Sequence, residues 1–238
     1  MRLDVIGCSP AWHNPGGAQS GYLIDGPGRL LLDCGPGVLS HLRDRGAWPH
    51  VNAVVITHFH LDHWGDLVPW AFGTQFGPGR AIAPQPDLWV PAGGTEKILA
   101  VEDLLGAHAI LDAFNVHEYV EGVAFEAAGY TITPTRVPHY DQLTFGMRVT
   151  DGERTLAYSG DSAPSPALAA LAHDADLFIC EATLAVPEVG LRGHLTAEEA
   201  VSAFVDSGAH RLLIVHRPSE LSLDSSLEQA SDGYTTTV

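Results

Sequence analysis

Lysine is nearly missing: Lys97 is the only one in 238 residues, and 12 basic residues against 29 acidic ones leave a formal charge of −17. A groove for a long nucleic acid needs clustered Lys and Arg to displace counterions, so that partner class is disfavoured, as is an anionic membrane surface. Cysteine is scarce as well. Cys8, Cys34 and Cys180 are odd in number, far apart and in no C-x-x-C pair, which argues against a disulfide framework or a zinc ribbon and makes a reducing cytoplasm the expected compartment. No stretch reaches the roughly 20 apolar residues of a membrane span. The opening MRLDVIGCSP reads as a strand entering a loop rather than as a signal peptide. What the chain does have is 45% hydrophobic residues, enough for a substantial core, and no linker that would divide residues 1–238 into more than one domain.

Short runs rich in Val, Ile and Leu alternate with turn signals and Ala/Leu-rich stretches, the pattern of an α/β layered fold. Strands are expected near 2–7, 21–25, 30–34, 52–57, 87–91, 123–126, 130–137, 144–150, 154–159, 176–180 and 211–216, and helices near 36–45, 65–73, 94–105, 164–173 and 196–208. Thr196 and Glu199 form a capping box at the start of the last helix. The Gly/Pro-rich segment 73–87 reads as a surface loop over a site, and the Ser/Thr-rich end, 222–238, as loosely ordered chain.

The chemistry is concentrated in VVITHFHLDHWG, where an apolar strand runs into His58, His60, Asp62 and His63. A lone strand-end histidine is more often a surface or hydrogen-bonded core residue, but four metal-ligating side chains within six positions reverse those odds. Side chains two apart on extended chain share a face, so His58 and His60 can grip one ion. Asp62 and His63, redirected as the chain turns into a helix, can reach a second. Seven further histidines, His13, His41, His50, His108, His117, His173 and His210, fit no ligand pattern.

This His-x-His-x-Asp-His run at a strand end resembles the hallmark of the metallo-β-lactamase superfamily, and the likeness extends over essentially the whole chain. It implies a four-layer αββα sandwich with metals at one edge. It also supplies three more ligands at strand ends: His139 in TRVPHYD, Asp161 in AYSGDS and His216 in LLIVHRP. By this resemblance His58, His60 and His139 hold one metal, Asp62, His63 and His216 hold the other, and Asp161 bridges them. The donor types suit zinc, with manganese or iron as alternatives, since no thiolate is offered. Diiron oxygen-reducing members carry Glu where this chain has His60, which points to hydrolysis instead of redox chemistry.

Within the superfamily, VPHYDQLTFGMRV and YSGDS are similar to the ribonuclease Z and small phosphodiesterase branch, and so are ICEAT (179–183) and GHLTAEEA (193–200). That likeness gives Glu181 the role of orienting His194, which protonates the leaving oxygen, and gives Asp62 a share in positioning water besides ligation. Arg217, beside His216, is the best of four arginines (with Arg136, Arg148 and Arg192) for contacting a phosphate.

The expected activity is a dimetal phosphodiesterase for a small diester such as a cyclic nucleotide or a cyclic sugar phosphate. Ribonuclease Z processing of transfer RNA ranks second, because no long basic arm insertion is present and the charge opposes a polyanion. A lactonase, thioesterase or β-lactamase is a further alternative. A non-catalytic metal-binding module ranks last, since no ligand is missing. Relatives imply a homodimer by analogy of fold.

Overall fold

The computed structural model describes residues 1–77 and 85–238. Strands β1 (Arg2–Gly7), β2 (Gly21–Asp25), β3 (Arg29–Leu32), β4 (Ala53–Val55), β5 (Asp87–Pro91) and β6 (Asn115–Tyr119) build one sheet. A second sheet holds β7 (Phe125–Ala127), β8 (Tyr130–His139), β9 (Gln142–Thr150), β10 (Thr155–Tyr158), β11 (Leu177–Glu181) and β12 (Leu212–Val215). The last strand, β13 (Thr235–Thr237), returns to the first sheet, giving the orders β13-β1-β2-β3-β4-β5-β6 and β12-β11-β10-β9-β8-β7.

Residue alternation along the strands explains why two sheets end up between two helical layers. In β3, Leu30 and Leu32 enter the core between the sheets, while Leu31 faces the outer layer. Both faces are apolar, as strands covered on both sides require. The inner core packs Leu3, Tyr22, Ile24 and Val55 with Phe145, Met147, Tyr158 and Ile179. Outside the first sheet lie α1 (Val38–Asp44), α3 (Leu67–Phe76), α4 (Gly94–Leu105) and α5 (Ala109–Ala113), contributing Leu42, Trp70, Ile98 and Ile110 to a second cluster. Outside the second lie α6 (Pro166–Leu171) and α7 (Ala197–Ser207), whose Leu168, Leu171 and Ala200 cover Phe178 and Ile214. This is the expected αββα sandwich. The capping box is present: Glu199 N–H donates to Thr196 Oγ1 at 3.3 Å, and Thr196 N–H to Glu199 Oε2 at 2.9 Å.

Three sequence expectations need correction. The expected 65–73 helix is α3, displaced to Leu67–Phe76, with a separate single turn, α2 (Leu61–Trp64), before it; the first residues of the expected 73–87 loop, 73–76, are therefore helical, and residues 78–84 lie outside the described residues. Two short elements were not anticipated, β6 (NVHEY, mostly exposed edge strand) and α5 (five residues, less than two turns), because neither shows a full hydrophobic period. The tail is tied down: β13 pairs with β1, Arg211 donates to the Thr237 carbonyl at 3.0 Å, and Ala230 N–H donates to the Ile214 carbonyl at 2.9 Å. Its firmest tie is Asp232, whose carboxylate accepts from Cys8 N–H at 3.2 Å and Ala18 N–H at 2.6 Å. Asp232→Ala strands two backbone donors, so a loss of about 1–3 kcal/mol is expected in denaturant unfolding. An unchanged midpoint would show that the Asp232 carboxylate does not hold the tail. None of the described helices is long and apolar enough to cross a membrane.

Candidate metal centre

Every chemistry-bearing segment leaves its sheet at the same edge, where β3, β4, β8, β10, β11 and β12 end. After β4 the chain runs extended through His58 to His60, then turns into α2, which carries Asp62 and His63. Two carriers leave their strands by left-handed backbone, Asp33 with φ 60° and His216 with φ 50°. That conformation is costly for residues with a side chain and is kept where the surroundings enforce it. Gly35 allows the loop after β3 to approach the ligand turn, since a Cβ there would lie 1.9 Å from the Asp62 carbonyl oxygen.

The ligand-capable atoms of His58, His60, His139 and Asp161 all lie within 4.8 Å of one another, as do those of Asp62, His63, Asp161 and His216. Asp161 belongs to both groups. All seven sequence-expected ligands are therefore brought together, and six of them are buried, with His60 half-buried.

Partners on the far side of the rings fix which nitrogen faces the centre. His63 Nδ1–H donates to Asp33 Oδ2 at 2.7 Å, His139 Nδ1–H to the Gly193 carbonyl at 2.6 Å, His58 Nδ1–H to Thr57 Oγ1 at 3.1 Å, and His216 Nδ1–H to Thr183 Oγ1 at 2.9 Å. Four Nε2 lone pairs are left to converge, a common arrangement for metal-bound imidazole. His60 presents its Nδ1 instead, 2.9 Å from His139 Nε2.

The residues present fit bound cations. His58 Nε2, His63 Nε2 and Asp161 Oδ1 are buried polar atoms without a hydrogen-bond partner, which a protein rarely tolerates unless something else meets them. Burial and repulsion from His63, His139 and His60 hold His58 well below its ordinary pKa; burial also lowers His60, together with His139 and His63, and lowers His139, together with His194, so these rings stay neutral. Asp161 would be raised by burial, but His216 and His63 hold it far below the usual carboxylate range. The neutral imidazoles of His58, His60 and His139 beside the ionised Asp161 are donors that a hard or borderline divalent ion takes.

Beside this cluster stands the expected pair. Glu181 Oε1 accepts from His194 Nδ1–H at 2.9 Å and from Ser162 N–H at 2.8 Å. Its Oε2 accepts from the Thr183 hydroxyl at 2.8 Å and from the N–H groups of Thr183 and Leu195. Burial alone would lower the His194 pKa, but the Glu181 carboxylate overrides it and pushes the ring up to about 9.

His60, Asp62, His194 and His216 open into a pocket of about 900 Å³ walled by Trp12, Leu61, Leu184, Leu221 and the acids Glu188 and Glu220. Trp12 and Gln19 come from the loop between β1 and β2.

None of the four arginines singled out in the sequence lines the pocket. Arg217 turns away, donating to the carbonyls of Ala182 at 2.7 Å and Ser222 at 2.8 Å. Arg148 is bonded to Leu171 and His173 carbonyls, Arg192 to Glu199, and among the described residues no Lys or Arg lines the pocket. The Cys34 side chain packs in the outer layer, away from the site.

Asp33 was not anticipated. It binds His63, the Thr57 hydroxyl at 2.9 Å and the Tyr158 hydroxyl at 2.9 Å; a charged residue closing the apolar RLLL strand was the available signal. Asp33→Asn weakens its hold on the His63 ring, so metal affinity is expected to fall about 10–100-fold in a chelator competition. Wild-type affinity in this variant would show that the ring is held by other means.

The family model described as "Beta-lactamase superfamily domain" matches residues 28–217. The Mycobacterium tuberculosis (strain ATCC 25618 / H37Rv) protein Rv1339, itself uncharacterised, is 31% identical over 236 residues, 97% of this chain and 85% of that protein. The Bacillus subtilis (strain 168) protein named "Probable metallo-hydrolase YhfI" is 31% identical over 92% of this chain and 87% of its own length. The YhfI crystal structure superposes with a TM-score of 0.85 at 25% identity, covering 99% of each chain. A Myxococcus xanthus (strain DK1622) ribonuclease Z is 28% identical over 290 aligned positions, 98% of this chain and 93% of that protein.

Proposed function

The chain belongs to the metallo-β-lactamase superfamily, in its ribonuclease Z-like branch, and is a metallo-hydrolase; on that premise we propose that it is a two-metal phosphodiesterase for a small diester, such as a cyclic nucleotide or a cyclic sugar phosphate. His58, His60 and His139 would hold one ion, Asp62, His63 and His216 the other, with Asp161 shared. Zinc suits these donors, with manganese or iron as alternatives. Two such ions, when bound, supply Lewis acidity toward the scissile group and acidify water near neutral pH.

The observation that carries the proposal is the Glu181–His194 pair at 2.9 Å beside that cluster, with His194 on the pocket wall. An alkoxide leaving from phosphorus needs a proton. His194, charged at neutral pH and held by Nδ1 on Glu181, has Nε2–H to give. Ligand histidines, with their lone pairs turned to the centre, have none to spare. Glu181, fixed by Ser162, Thr183 and Leu195, keeps the His194 ring oriented, and Asp62 sits 3.2 Å from His216 Nε2, where it can hold a water as well as an ion.

The pocket volume suits a small ligand. Its acidic rim and lack of cations among the described residues disfavour a polyanion. A lactone or carboxylic ester is the second reading, favoured by the same apolar walls.

The test is turnover of bis(p-nitrophenyl) phosphate, p-nitrophenyl phosphate, a lactone and a β-lactam by metal-loaded protein. Diester cleavage well above the other three is expected. Ester or lactone turnover without diester cleavage sinks the proposal.

A further inference from the structure

The segment 184–196 carries His194 across the pocket mouth without regular structure, closed at its base by Leu184 N–H to the Leu195 carbonyl at 2.9 Å. Its outer face is bare: Val186, Val189 and Leu191 are 72%, 100% and 62% exposed. Between them, Glu188 turns inward. One of its oxygens accepts from the Tyr140 hydroxyl, and the other accepts from Gly193 N–H at 2.9 Å and His194 N–H at 3.4 Å. Tyr140 directly follows the ligand His139, in left-handed backbone with φ 46°, and its own N–H donates to the Arg192 carbonyl at 3.1 Å. Its ring packs against Gly193, where a Cβ would come within 2.2 Å of it. The Gly193 carbonyl in turn accepts His139 Nδ1–H. From the other side Arg192, bidentate on Glu199, reaches the His194 carbonyl at 3.2 Å.

We propose that Tyr140 and Glu188 form a latch that positions His194 for proton donation, by fastening the segment that carries it to the end of the ligand strand β8. The inference rests on the reading of His194 as the acid. Tyr140 and Glu188 are positioning residues: their effect passes through the His194 main chain. With the segment unfastened, His194 keeps its bond to Glu181 but loses the restraint on where its Nε2–H lies relative to the leaving oxygen. A displacement of about 1 Å is enough to forfeit most of an acid's contribution.

The experiment uses Tyr140→Phe, which keeps the ring on Gly193, and Glu188→Gln, which keeps its size, beside His194→Ala and wild type, all zinc-loaded with bound zinc counted. Methyl diesters are compared with leaving groups running from p-nitrophenol to phenol to benzyl alcohol. A good leaving group needs no proton and a poor one does. Both latch variants are expected to keep wild-type zinc content and to lose about 10-fold or more on the benzyl ester relative to their own rate on the p-nitrophenyl ester, a steeper leaving-group dependence that approaches that of His194→Ala.

General loosening of the fold lowers all rates alike. Equal losses across the series in both variants, or no loss in either, overturn the latch. A wild type whose leaving-group dependence is no different from that of His194→Ala overturns the acid role of His194, and the latch with it. A wild type that differs from His194→Ala while both latch variants keep the wild-type leaving-group dependence overturns the latch alone.

Discussion

Asp161→Ala is expected to fold, to keep at most one metal ion per chain, and to lose about 10³-fold or more of the hydrolytic rate. Its carboxylate is the one side chain common to both ligand groups, and it stands 3.2 Å from His63 Nε2 and 3.9 Å from His58 Nε2. Without it each group falls to three donors and nothing ties the two together. The variant also removes a buried carboxylate that balances His63, whose pKa is lowered by burial but raised well above its ordinary value by Asp161 and Asp33. Metal content by elemental analysis, with circular dichroism to establish folding, reads the outcome. Retention of two ions per chain by the variant would show that Asp161 does not bridge.

His194→Ala is the second large effect: a fall of about 10²–10⁴-fold in kcat on a poor leaving group, with both ions still bound. The acid acts only while protonated. Because Glu181 raises the folded-state pKa of His194, the protonated ring dominates at neutral pH and is lost as pH rises through that value, about 9 in the ion-free chain. Bound cations repel the imidazolium, so the alkaline limb of the wild-type profile is expected at or below pH 9, and His194→Ala should lack it. A variant with the same alkaline limb as wild type would assign that titration to another group.

How much of this was legible in sequence follows from where the information sits. Four candidate ligands, His58, His60, Asp62 and His63, were legible in one short segment that follows an apolar strand, and His139, Asp161 and His216 only through family likeness; the fold collects all seven at one edge. The paired Glu181 and His194 were legible through segment likeness, and the structure places them 2.9 Å apart. What escaped was set by three-dimensional packing. Asp33 orients His63 from 30 residues away, a relation that no local spacing carries. Arg217 looked like a phosphate ligand because it adjoins His216, yet the left-handed turn at His216 sends its guanidinium behind the site to two carbonyls. The tail reads as polar and loose, but its order comes from partners near residues 2–18 and from Arg211. Polar residues that order a chain by capping distant backbone groups leave no hydrophobic period to detect.

The most direct measurement is a zinc titration of chelator-stripped protein, with bound zinc and bis(p-nitrophenyl) phosphate turnover followed in the same samples. Two buried donor groups sharing Asp161 predict that turnover rises with occupancy and saturates at two ions per chain, and that His194→Ala binds the same two ions. Saturation of turnover at one ion, or diester cleavage by the stripped protein equal to that of the loaded one, would contradict a dimetal phosphodiesterase.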